Sequence, residues 1–208
     1  YDLQKAGVLK RAAAWLLDSI LLVVLACGIG MILSAVLNYD QHSQALEACY
    51  ERYEKEFGID FDVYADLTEE EQARFEAANA ALQKDTQALK AYNMVVNLSL
   101  TIVSLSILLS YLALEFAVPL LFGNGQTMGK KVFGIGLIRV DGVKISTFAL
   151  FVRTVLGKYT VETMIPVLMA MMIFIGTIGI LGPAIVLGLL ILQVALIITS
   201  PTNSALHD

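Results

Sequence analysis

The stretch AAAWLLDSILLVVLACGIGMILSAVLN, residues 12–38, decides the architecture. It is apolar for longer than the roughly 20 residues a helix needs to cross hydrocarbon, and Arg11 stands at its entrance. Asp18 lies inside it. A carboxylate at that depth is costly in lipid, so its presence points to a role rather than to chance. Composition agrees: of 208 residues 57% are hydrophobic and 16% charged, with a mean hydropathy of +0.71. Such a chain is too apolar for an ordinary soluble domain and excludes a disordered one.

Three further segments have the length and apolarity of spans: Tyr92–Phe122, Thr160–Ile180 and Pro183–Thr199. The stretch from Gly179 to Pro183 reads as a tight turn between the last two. Backbone groups in hydrocarbon must bond within their own segment, so these spans are predicted to be helices. The chain starts at Tyr1 without a signal-peptide cleavage pattern, so the first span is expected to be retained and residues to be missing ahead of it. Lys5, Lys10 and Arg11 precede the first span, and Lys130, Lys131, Arg139, Lys144, Arg153 and Lys158 lie between the second and third. The positive-inside rule then places both termini and this basic loop in the cytoplasm. The segment Tyr39–Ala91 carries 13 acidic and five basic residues and falls on the outer side. Nothing in this distribution suggests nucleic-acid binding.

That outer segment reads as a pair of helices. Leu46, Cys49, Tyr50, Tyr53 and Phe57 form one apolar stripe. After Gly58, the Thr68 and Glu71 spacing of a capping box opens a second helix, whose stripe continues through Phe75, Ala78, Leu82 and Leu89 straight into the second span. The pair is a structural cap or a surface for a protein partner. Asp60, Asp62, Asp66, Thr68 and Glu71 also occupy positions 1, 3, 7, 9 and 12 of a calcium-loop template. Tyr64 and Ala65 stand where it requires an oxygen ligand and the turn glycine, which counts against calcium. Cys27 in the first span and Cys49 outside it are not expected to pair.

The basic loop is more than a linker. Ile135–Val140, Asp141-Gly142 and Val143–Ile145 predict a small β-hairpin. The segment Thr147–Leu156 has the one-sided pattern of a helix lying at the membrane surface, with Phe148, Phe151, Val152 and Val155 on one face. Gly125-Gln126-Thr127-Met128-Gly129-Lys130-Lys131 lacks the spacing and the Ser or Thr of a nucleotide-binding loop. Gly28, Gly30, Gly176, Gly179 and Gly188 predict close helix contact, and a homo-oligomer is compatible with them. Catalysis has no constellation behind it, since His42 and His207 fall on opposite sides of the membrane; no enzyme activity and no cofactor are expected.

Arg11 and Asp18 share a helix face but stand roughly 10 Å apart along the axis, so each needs a partner elsewhere. Glu115, at the inner end of the second span, is a second acid at membrane depth. Taken in order, Arg11, Ala14 and Asp18, then Gly125-Gln126-Thr127-x-Gly129-Lys130-Lys131-x-x-Gly134, Arg139-Val140-Asp141-Gly142, Arg153-Thr154 and Leu206-His207-Asp208 resemble the RDD family of bacterial membrane proteins. The resemblance runs from the first span to the last residue, with the outer hairpin as an addition. The four spans make an all-helical membrane protein, and the resemblance implies that it belongs to the bacterial cell membrane, with Arg11, Asp18 and Asp208 as the naming residues. It also implies transport, including exchange of sodium or another monovalent cation for protons. Two readings follow for Arg11, Asp18, Glu115, Arg153 and Asp208. In one, Asp18 and Glu115 face a wet cavity and a carboxylate holds a proton or a cation in turn. In the other, the charges pair, Arg11 with Asp208 and Asp18 with Arg153, Lys130 or backbone amides. They then lock a non-transporting assembly module.

Overall fold

The computed structural model describes residues 7–63, 67–123, 125–136 and 146–174, together with Gly188 and Ile191. Every regular element among them is helical. The first, α1, spans Val8–Val36, and Asn38, with a positive φ of 52°, separates it from the next helix without a glycine. Asn tolerates this left-handed conformation better than most residues. Next come α2, Tyr39–Phe57, closed by Gly58 in the left-handed conformation, and α3, Glu69–Leu82. The helix α4, Thr86–Tyr111, continues without interruption through a π-helical segment, Leu112–Ala117, into α5, Val118–Phe122. After α6, Met128–Val132, the last described run is again continuous: α7, Thr147–Val152, a second π-helical segment, Arg153–Met164, and α8, Ile165–Phe174.

Three of these runs are long and apolar enough to cross a membrane: Val8–Val36, Thr86–Phe122 and Thr147–Ile173. The expected fourth span, 183–199 apart from Gly188 and Ile191, and the expected β-hairpin, 135–145 apart from its first two residues, lie outside the described residues. Two expectations are corrected. The surface helix 147–156 and the span 160–180 are one helix from Thr147 to Phe174 over its described length, because Arg153 and Lys158 are turned into protein contacts instead of marking a solvated boundary. The second outer helix does not run straight into the second span either. It ends at Leu82, and Asp85 opens α4 afresh by accepting the N–H of Gln87 at 2.7 Å. Asp is among the preferred N-cap residues, and the pair Asp85-Thr86 was the signal that the apolar stripe concealed.

The chain divides into two compact units, Gly30–Val103 and the remainder. In the first, α2 and α3 pack against one another. Its centre is aromatic: Phe61 meets Tyr50 and Phe75 edge-on at 5.4 and 5.5 Å between ring centres. The capping box is present in both directions, with Thr68 Oγ1 accepting from the Glu71 N–H and the Glu71 carboxylate accepting from the Thr68 N–H at 2.8 Å. Arg52 and Tyr53 of α2 both bond Asp85.

These caps make the hairpin acid-sensitive. The Thr68 amide holds Glu71 below its ordinary value of 4.5, and the Gln87 amide holds Asp85 below 3.8. A carboxylate with a depressed folded-state pKa contributes stability above its unfolded value and loses it as pH falls through the folded one. Amide hydrogen exchange, corrected for its intrinsic pH dependence, should therefore show the first turns of α3 and α4 opening below about pH 4. Glu71→Gln, which removes the titrating group, should abolish that dependence at α3 alone.

Candidate functional site

The second unit holds both intramembrane acids, and they are treated differently. Asp18 meets the glycine-lysine motif. Thr127 caps α6, accepting the Lys130 N–H on its hydroxyl at 3.3 Å and donating that hydroxyl to Asp18 Oδ2. The Gly129 N–H donates to Asp18 Oδ1 at 2.7 Å. Both carboxylate oxygens are thus engaged by the first turn of α6. The approach is close: a Cβ on Gly129 would stand 2.2 Å from the Ala14 carbonyl oxygen and 3.0 Å from Asp18 Cγ. Ala14 is 1% exposed and Thr127 2%. This explains the order Ala14, Asp18, Thr127, Gly129, because a small residue and an acid one turn apart on α1 receive a threonine cap and a glycine. The tight glycine contact falls here and not at Gly28, which has nothing within 4 Å among the described residues.

Glu115 sits in the first π-helical segment and is 5% exposed. Its carboxylate accepts from Lys158 Nζ at 2.6 Å, and the side chains keep 6% and 12% exposure respectively. Proline explains the local geometry. Pro119 has no N–H to give the carbonyl four residues back, which is that of Glu115. The ladder instead closes five residues back, from the Val118 N–H to the Ala113 carbonyl, and the Glu115 carbonyl is satisfied by the buried Thr154 hydroxyl at 3.0 Å. In hydrocarbon such a freed carbonyl needs a neighbouring hydroxyl. The second π-helical segment shows the same relation, ending two residues before Pro166 with the Ile165 N–H bonded to the Thr160 carbonyl.

Further along the same two helices, Tyr111 and Thr163 share a hydrogen bond of 2.7 Å, and the Tyr159 hydroxyl donates to the Ser104 carbonyl at 3.1 Å. The Tyr111 and Tyr159 rings pack edge-on, as do those of Phe116 and Phe151. A seam of hydroxyl groups and aromatic edges therefore joins these two helices. Thr154→Val should lower stability by about 1–3 kcal/mol through the orphaned carbonyl. Thermal unfolding of Pro119→Ala in the same background should recover part of that loss, because the restored N–H can bond the carbonyl.

Of the residues singled out in the sequence, the structure brings Asp18 to the motif loop and Glu115 to the helix of Arg153. Lys130 and Arg153 lie near enough to act electrostatically on Glu115. Arg11, Lys130 and Arg153 each have interactions of their own, and Asp208 lies outside the described residues. Lys158 and Thr154 were missed as site residues. In the sequence Lys158 is one of several loop cations, although an acid buried at Glu115 calls for a cation on a neighbouring helix. Of the calcium-loop positions, Asp66 lies outside the described residues and Glu71 is engaged in its cap. No three His, Cys, Asp or Glu side chains gather as a metal site among the described residues.

Span-length helices with buried charges paired between them define a multi-helix integral membrane protein. The RDD family model matches residues 5–208, and the chain belongs to that family. No curated protein and no solved structure matches it.

Proposed function

We propose that the protein is a transporter exchanging a small monovalent cation for protons, with the Glu115–Lys158 pair as the exchange site. The observation that carries this reading is a 2.6 Å ion pair buried between two span-length helices, in π-helical segments that each end two residues before a proline. Packing alone does not call for such a pair, since apolar residues of similar volume generally hold helices together as well or better. Ionisable groups at membrane depth mark ion paths by default, and π-helical segments recur at functional sites. Asp18 is assigned to holding α1 against the motif loop. That contact supports the orientation expected from charge, with the amino-terminal end of α1 and the Gly-Lys-Lys loop both on the cytoplasmic side of the bacterial membrane and the acidic hairpin outside.

Proteoliposomes with an internal pH dye test the reading. Sodium, lithium or potassium pulses should move protons where choline does not, and Glu115→Gln should abolish the movement. Equal flux in Glu115→Gln would remove Glu115 from any transport role. A second reading, a non-transporting assembly module, draws on the hairpin. A groove of about 300 Å³ lined by Leu46, Tyr50, Leu82, Leu89 and Tyr92 lies there beside acidic helices. Under it, no cation moves protons in the wild type and the hairpin retains a protein partner.

A further inference from the structure

We infer that the Lys158 ammonium is a tethered cation standing in the substrate's place, so that the exchanged proton leaves from Lys158 and not from Glu115. The inference rests on the exchange reading and deepens it by naming the proton carrier and the substrate charge. The Lys158 ammonium lies 2.6 Å from the Glu115 carboxylate, in a site where both side chains are almost wholly enclosed. Lys130 on α6 and Arg153 on the second π-helical segment add positive potential to the same carboxylate. Tyr111 at the end of α4 also lies within electrostatic reach of Glu115, and Tyr159 and Glu162 of the second π-helical segment neighbour Tyr111 in turn.

One carboxylate charge in this field balances one cation and not two. An incoming monovalent cation can therefore take the carboxylate only as Lys158 gives up its charge. The step is balanced. The paired carboxylate and ammonium plus a metal cation become a cation-bound carboxylate, a neutral amine and one released proton; a single N–H bond breaks and the net charge of the site is unchanged. Return of a proton to the amine restores the pair and expels the cation. Exchange is accordingly one for one and insensitive to membrane voltage. A divalent cation would leave an extra positive charge in the positive potential of Lys130 and Arg153, so the substrate class is monovalent inorganic cations.

Sodium-driven proton flux in proteoliposomes of the wild type, Lys158→Arg and Lys158→Gln tests this across pH. Arginine keeps the ion pair but does not release its proton, so Lys158→Arg should fold and lose flux. In Lys158→Gln the proton must ride on Glu115, and ordinary carboxyl and amine pKa values lie about six units apart. Its pH profile should therefore move towards acid by more than about one unit. Wild-type flux retained in a folded Lys158→Arg, or an unmoved profile in Lys158→Gln, overturns the lysine carrier while leaving exchange at Glu115 standing. A wild type silent with sodium, lithium and potassium refutes the exchange reading itself. Should Lys158→Gln fail to fold, the arginine variant decides alone.

Discussion

Lys158→Met should unfold at a clearly lower temperature than the wild type, and Glu115→Leu combined with Lys158→Met should recover most of the loss. The single change leaves a carboxylate without its cation at a site 5% exposed. Removing one partner of a buried pair typically costs about 3–5 kcal/mol, whereas replacing both by apolar groups is often neutral or stabilising. The single variant should also be less deficient at acid pH, because burial penalises the charged carboxylate and not the neutral acid. Calorimetry or intrinsic fluorescence in detergent reads both effects. If Lys158→Met unfolds like the wild type, the pair contributes nothing in the folded protein. The recovery in the double variant matters as much, for it would show that stability alone does not account for a charge pair at this depth.

Gly129→Ala should be the most damaging change at the other acid. The added Cβ would lie 2.2 Å from the Ala14 carbonyl oxygen, a backbone atom that cannot rotate aside. The α1 and α6 backbones would have to separate, stretching both hydrogen bonds to Asp18. Overpacking alone costs about 1–3 kcal/mol, and the loss of charge-assisted bonds adds about 1.5–3 kcal/mol for each one broken. Gly136→Ala is the control, because nothing lies within 4 Å of its position among the described residues; its effect should stay within about 0.5 kcal/mol. Paired spin labels on α1 and the motif loop would show the separation in Gly129→Ala and none in Gly136→Ala.

Much of the helical layout was legible because its signals are local. The apolar run after Arg11, the stripe ending at Phe57 before Gly58 and the Thr68–Glu71 box each depend on residues within a turn or two, and each appears as an element or a cap. The break before α4 was equally local but masked, since Leu82 and Leu89 continue one stripe across Asp85. The single helix from Thr147 was hidden for another reason. Charges at Arg153 and Lys158 suggest a boundary to water unless their partners are known, and the partner of Lys158 is 43 residues away in sequence. The first π-helical segment ends before Pro119 with its Glu115 carbonyl bonded by a hydroxyl on another helix, a tertiary contact that periodicity does not record. At the site, Asp18 and Glu115 announced themselves by depth alone. What each one faces is a tertiary fact, and it separates a clamp from an ion pair.

Infrared difference spectroscopy of the protein in lipid nanodiscs at neutral pH tests the Glu115–Lys158 pair most directly. The account predicts no protonated carboxyl stretch from Glu115 in the wild type. Such a band should appear in Lys158→Met and vanish when Glu115→Gln is added. A protonated Glu115 band in the wild type, identified by its loss in Glu115→Gln, would mean that the ammonium does not hold a carboxylate there, and the exchange site would be gone.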